Sequence, residues 1–456
     1  MQRRTFLKYT SLGVASAIVT ACSDRGSNNE PIKIEQPRPS NFDKLEKTSL
    51  TLGYVPITDA APLIVAQEKG FFSRYGLTVT LSKQASWEDL EKGLLEWRFD
   101  AAQALYGMPM LAQLGAKAAS MVALMTLNLN GGAIALSQKA WKADIRPSID
   151  YVNFQEFSDS FIKYIRGFQK PPNFAIESAA SIENYLYRYW LAAMGIAPEK
   201  EVKFTEISPS QAIFKLQAGS IDGSCIGEPW NQDAVLKKAA FVTYASRDIW
   251  KGHPGKVLAA MQGWVDKNPT TAKALVAALI EACQFCDRPE NHADVALLLA
   301  QSQYLNADIK AIEPSLGGKY NYSQLEDKEG VASIPDFTVF HYRPTDYLKQ
   351  SDCTNYPWRS HAVWLLTQMI RWNQIDRREY PQNADEILNK IYPTEIYEEV
   401  AKALNILLPT DKMKKEPATA FIDGREFDPS QPVAYLNQFV LRAGRSKIFA
   451  LRTDRD

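Results

Sequence analysis

The sequence predicts an α/β body of two lobes with a ligand cleft between them and a helical C-terminal extension. Three observations carry this reading. From Ser49 onward, strand-like and helix-like stretches alternate, which argues for mostly parallel sheets flanked by helices. Gly131 and Gly132 interrupt a long apolar run, where the chain can bend or cross from one lobe to the other. From Pro269 the pattern becomes helical. A chain of 456 residues is also too long for one ordinary core.

The elements follow in order. SLTLGYVP reads as a buried strand ended by Pro56, and Ala60 to Lys69 as a helix with Asp59 as its cap. GLTVTLSK is a second strand entered through Gly76. Trp87 to Trp97 is a helix, and FDAAQAL begins a third short element. MVALMTLNLNGGAIALS carries the paired glycines. NFAIES, Ile182 to Met194 and EVKFTEIS give strand–helix–strand again. SIDGSCIGEPW closes on a strand and turn. Helices are then expected at Pro269 to Cys286, Ala293 to Leu305, His361 to Trp372 and Ala384 to Leu407. The expected division is a signal peptide at 1–21, a flexible tether at 22–48, one lobe from 49–132 with 240–456, and the other from 133–239. Chain crossings are expected near Asn130–Ala133 and within Asn231–Ala245.

Composition excludes several classes. Lys plus Arg and Asp plus Glu both number 52, so no overall field favours nucleic acid, and any anion site must be local. Five cysteines in so long a chain cannot form a dense disulfide framework. Cys283 and Cys286 are either a redox pair, half a metal site, or two small residues on one buried face. Four histidines, none in zinc-motif spacing, give no metal expectation, and no cofactor is expected.

The N-terminus reads as an address. Arg3 and Arg4 precede a short apolar run, which suggests a secretory signal of the twin-arginine type. Val19-Thr20-Ala21-Cys22 resembles a bacterial lipobox, with Cys22 as the lipidation site. The polar, proline-bearing stretch after it reads as a tether. This places the protein in the cell envelope, anchored to the membrane on the periplasmic side.

In open α/β sheets, ligands sit beyond the carboxyl ends of strands. The candidate ligand loops are Tyr54 to Asp59, Gln103 to Pro109, Asn128 to Gly132, Glu177 to Glu183 and Gly227 to Trp230. LGYVPITDAAPLIVAQEKGFFSRYGL, at the first of these, resembles the start of the nitrate- and bicarbonate-binding proteins of cyanobacterial-type ABC importers. KQASWEDL, FDAAQALYGMPM, LNLNGGAIALS, YLYRYWLAAMGI, IGEPWN, IWKGHPGKVLA, YPWRSHAVWLLTQMIRW and FIDGREFDPSQPVAYL continue the resemblance in order. GEPWN and the opening strand are also similar to binding proteins for sulfonates and thiamine precursors.

The resemblance implies a type II periplasmic binding protein, without catalysis, whose partners are an ABC permease and an ATPase. It implies a small anion of the nitrate, nitrite or bicarbonate type. Alternatives are a sulfonate, cyanate or cationic heterocycle, or a ligand sensor of the same fold; an enzyme is not expected. Residue by residue, it places an anion-contacting amide at Asn130 and an anion-contacting lysine at Lys256, within His253-Pro254-Gly255-Lys256. An asparagine in a turn can also simply tolerate a left-handed conformation. Gln103 stands where relatives often have histidine, and Glu183 where they carry histidine or glutamine. Glu177 enters the same strand exit. Glu183 can pair with Lys256, face a positive group on a different ligand, or be a first-turn glutamate favoured by the helix dipole. Glu228 and Trp230 are expected to support the cleft wall. Thr58 and Asp59 sit where a helix N-terminus can offer amides.

Overall fold

Two five-stranded sheets form the two lobes of this computed structural model, which describes residues 42, 44–115, 118–325, 330–345, 353–375, 379–440 and 442. The candidate signal, Cys22 and the tether up to residue 41 lie outside them. The strands are β1 (Ser49–Tyr54), β2 (Thr78–Lys83), β3 (Ala101–Leu105), β4 (Met121–Thr126), β5 (Leu129–Asn130), β6 (Gly132–Ser137) and β7 (Asn173–Ile176). They continue as β8 (Lys203–Glu206), β9 (Gly223–Gly227), β10 (Ala240–Ala245), β11 (Lys256–Met261), β12 (Lys319–Asn321), β13 (Val331–Ser333) and β14 (Thr338–Val339). The first sheet has the order β2-β1-β3-β11-β4 and the second β10-β6-β9-β7-β8.

Both sheets are mixed rather than mostly parallel. β1 pairs in parallel with β2 and β3, and β7 with β8 and β9. β11 and β6, the strands that carry the chain into each sheet from the cleft, run antiparallel to their neighbours. This direction positions the site. Lys256, the first residue of β11, lies opposite Leu105, the last residue of β3. Gly132, the first residue of β6, lies opposite Gly227, the last of β9. The crossing strands therefore begin at the carboxyl ends of the parallel strands, where ligands collect in such sheets.

Three expectations need correction here. β10 pairs with β6 in the second sheet, so the second crossing falls at 246–255, after Ala245 rather than before it. Residues 240–456 do not all join the first lobe: Tyr320, Tyr322, Ile334 and Phe337 share a core with Ile226 and Val242 of the second sheet and Val235 of the helix Trp230–Leu236. The span Ala384 to Leu407 is two helices, Ala384–Ile391 and Glu395–Ala403, separated at Pro393, which cannot donate a backbone hydrogen bond.

The end of the predicted tether is also docked. Phe42 is buried, edge-on to Tyr75 with ring centroids 5.5 Å apart. Glu46 accepts from the backbone N–H groups of Thr270 and Thr271 at 3.1 and 2.9 Å, capping the start of the helix Pro269–Asp287. Lys47 adds an ion pair to Asp100 at 2.6 Å and a backbone bond to the Thr271 hydroxyl.

The C-terminal helical part bridges both lobes: Tyr392 stacks on Tyr106, just after β3, at 5.1 Å. Trp364, in the helix Arg359–Arg371, packs against Trp250 at 4.4 Å and Tyr189 at 6.0 Å, and its Nε1 donates to the Tyr435 hydroxyl. Cys283 and Cys286 are free thiols, both buried.

Candidate functional site

Lys256 is the centre of the site. Its side chain is fully buried, and its ammonium donates to Glu183 Oε1 at 2.7 Å. Asp59 Oδ2 lies 3.2 Å away and Glu177 Oε2 3.9 Å away, also fully buried. Lys256 and Asp59 belong to the first lobe; Glu177 and Glu183 follow β7 in the second. The four groups thus meet across the cleft.

Each group is held by local structure. Ser181 caps the helix Ile182–Ala193 by accepting from the Asn184 N–H, which places Glu183 in the first turn. Glu177 Oε1 accepts from the Gly227 N–H at 2.6 Å. Asp59 is not a helix cap: it lies within a 3-10 turn, Thr58–Ala60, and its Oδ1 accepts from Asn128 Nδ2 at 3.1 Å. The same Asn128 accepts from the Lys256 N–H at 3.0 Å, so it ties the lysine and the aspartate together.

Burial and mutual repulsion govern the charges. Burial pushes the Asp59 carboxyl up to about 6 even with Lys256 beside it. Burial pushes Glu177 up to about 8, with Lys256 opposing and Glu183 reinforcing the shift. Burial alone would lower Lys256, but Glu183, Glu177 and Asp59 together hold it above the ordinary lysine range. Burial lowers His253 to about 4; its Nε2 bonds the Ser246 hydroxyl at 2.9 Å.

Several polar atoms of the cluster have no hydrogen-bond partner: Glu177 Oε2, Glu183 Oε2 and Gln103 Nε2; Asp59 Oδ2 has only its ion pair with Lys256. Gln103 uses its Oε1 to accept from the Val55 N–H at 3.1 Å. Trp87 stands over the cluster, with the Lys256 ammonium 5.8 Å from its ring centroid and its own Nε1 unpartnered. A cavity of about 590 Å³ opens beside it, lined by Trp87 and Met108 from one lobe and Glu177, Ala180, Glu206 and Gln211 from the other.

The other sequence-selected residues make hydrogen bonds within the protein. Asn130 has φ 58°; its Nδ2 donates to the Asp336 carbonyl at 2.9 Å and its Oδ1 accepts from the Gly252 N–H at 3.0 Å, so this amide holds a turn. Glu228 accepts from Tyr320 Oη, Asn231 Nδ2 and the Gln232 N–H, all within the second lobe. Trp230 Nε1 donates to the Pro56 carbonyl at 3.0 Å, and the Thr58 N–H donates to the Glu228 carbonyl at 2.7 Å. Both bonds join the two lobes. The sequence reading missed Trp87, named Asn128 only as the start of a candidate loop, and did not select Asp59 for contact with a lysine. The signal was in the glycines. A Cβ at Gly131 would meet Asp59 Oδ1 at 2.8 Å, and one at Gly227 would meet Glu177 Oε1 at 3.3 Å.

Residues 43–300 match the profile of the NMT1-like family. This chain belongs to the NMT1-like family. It is 30% identical to the nitrate/nitrite binding protein NrtA of Nostoc sp. over 97% of this chain and 99% of that protein. It is 37% identical to the nitrate import ATP-binding protein NrtC of Synechocystis sp. over 87% of this chain and 56% of that one. The chain thus spans about half the length of the ATP-binding relatives it matches. The crystal structure of the periplasmic nitrate-binding protein NrtA from Synechocystis superposes with a TM-score of 0.77 at 29% identity, covering 87% of this chain and all of that one. The NMT1-like chain accordingly has the periplasmic binding protein fold, two lobes around a cleft.

Proposed function

We propose that this chain is the solute-binding component of an ABC importer, exported and lipid-anchored through Cys22, and not an enzyme. The observation that supports it best is the division of the site between lobes: Lys256 and Asp59 come from one, Glu177 and Glu183 from the other. Such a site is complete only when the lobes close, which is how a two-lobed protein holds a small solute. The nitrate and bicarbonate import ATP-binding proteins among its relatives support an ATPase partner, with a permease completing the importer. An anion of the nitrate, nitrite or bicarbonate type would have to displace Glu183 from Lys256, because that carboxylate already takes the ammonium at 2.7 Å.

A second reading, a ligand sensor, is favoured by one observation: identity to the ATP-binding import proteins reaches 37%, against 30% and 31% for NrtA. Replacing Cys22 with serine separates the two. For an anchored binding protein the variant leaves the membrane fraction and solute uptake falls. Membrane association unchanged after a salt wash would overturn the lipoprotein reading.

A further inference from the structure

We propose that the cleft takes a small planar cation with several N–H donors, of the guanidinium or amidinium class, rather than an anion; this rests on the chain being a solute-binding protein. The site holds three carboxylates and one ammonium. Among the described residues, Lys256 is the only cation in ion-pairing range of the three. With Asp59 and Glu183 charged the cluster carries one negative charge in excess, and two once Glu177 ionises, so an anion entering it would be repelled in a water-poor cleft.

The unmet hydrogen bonds point the same way. Glu183 Oε2 and, once ionised, Glu177 Oε2 are acceptors that accept no hydrogen bond, and Asp59 Oδ2 has only the Lys256 ammonium, at 3.2 Å; the three come from separate segments. A buried acceptor left unmade is costly, so such atoms mark the place of a donor. A guanidinium offers five or more N–H groups in one plane, enough for three carboxylates at once. Trp87 supplies an aromatic ring beside the cluster, where a planar cation gains further attraction. No group of three or more His, Cys, Asp or Glu among the described residues is arranged to hold a metal ion, so the missing charge should arrive with donors attached.

Protons stand in for the ligand. With its carboxyl at about 8, Glu177 keeps a proton at neutral pH in the empty site. A cation entering would expel it: the carboxylic acid becomes carboxylate, and one proton leaves to solvent for each positive charge taken in. Lys256, Asp59, Glu183, the buried Cys225 thiol and, further out, His253 and Glu228 are the other charged or titratable groups facing this cluster. An anion would instead bind with proton uptake.

The test is calorimetry on the full chain at pH 7, in two buffers of different ionisation enthalpy, with guanidinium, tetramethylammonium and nitrate. Guanidinium should bind with proton release, and tetramethylammonium, which has no N–H, should not bind. Glu177→Gln, which keeps an acceptor for the Gly227 N–H, should weaken guanidinium by about tenfold or more and remove the proton release. An unchanged melting curve for that variant shows that it folds. No guanidinium binding, or binding indifferent to Glu177→Gln, overturns the inference. So does nitrate binding with proton uptake. If nitrate also closes the lobes in solution scattering, the cation is wrong and the solute-binding reading stands.

Discussion

Two buried charge clusters in this molecule are built in opposite ways. Asp287, at the end of the helix Pro269–Asp287, accepts from the backbone N–H groups of Phe340, His341 and Tyr342 and from Arg343 Nε. Arg343 in turn donates to the carbonyls of Leu316 and Pro335. Neither residue leaves a buried polar atom without a partner. Around Lys256, by contrast, two carboxylate oxygens and one amide nitrogen are unmatched, and Asp59 Oδ2 has only the ammonium. A satisfied network fixes structure, whereas an unsatisfied one stores a demand that something else must meet. The first cluster joins a helix to the segment before the C-terminal extension; the second sits between lobes that must separate.

The largest effect should come from breaking the satisfied cluster. Asp287→Ala strands the Arg343 guanidinium and three backbone donors, and should cost about 3–5 kcal/mol of folding stability, read from the urea midpoint. The equivalent loss at Glu177→Gln should be small, because that side chain already carries a proton and keeps its bond to Gly227. Equal losses at the two sites would erase the distinction.

A smaller effect is expected in the pH dependence of the ligand-free protein. Glu177 sits at about 8 against an ordinary 4.5, so the folded state keeps a proton that the unfolded chain has lost. Its contribution therefore declines as pH rises from 4.5 to about 8. Glu228, raised by burial to about 7, acts in the same sense, and Asp59 does so up to about 6. His253, lowered to about 4, acts in the opposite sense up to its ordinary 6.5. Between pH 6.5 and 8 the carboxyls act alone, and stability should fall by at most about 1.4 kcal/mol per pH unit for each proton. Glu177→Gln should flatten the part above pH 7. A wild-type curve level from 6.5 to 8 would show that Glu177 does not hold its proton there.

Much of this was legible because strand exits converge. Lys256 and Glu183 were identified as possible partners, and the structure brings them to 2.7 Å. The antiparallel crossing strands were not legible, since helix–strand alternation does not reveal strand direction, and β10 was placed on the wrong side of a crossing for the same reason. Asp59 read as a helix cap because its position before an apolar helical run suits that role. Only the fold shows its carboxylate turned inward to Asn128 and Lys256. Trp87 opens a helix whose cap is Ser86, and a tryptophan there looks like ordinary core until the second lobe faces it. Asn130 shows the reverse: the resemblance made it an anion contact and its residue type a turn asparagine, and its left-handed backbone and two backbone partners fit the turn.

The smallest effect concerns the seam between the lobes. Trp230 lies in the second lobe and donates Nε1 to the Pro56 carbonyl of the first at 3.0 Å. The indole is only partly buried, so the bond competes with water and is worth about 1 kcal/mol. Trp230→Phe keeps most of the ring contact and removes the donor. Folding stability should change little, because the two sheets and their cores do not depend on this bond. The closed form should lose about 1 kcal/mol relative to the open one, weakening any ligand that needs closure by about fivefold and raising the radius of gyration of the ligand-free protein. Loss of folding stability as large as at Asp287→Ala would place Trp230 with the satisfied cluster, as part of the frame and not of the moving seam.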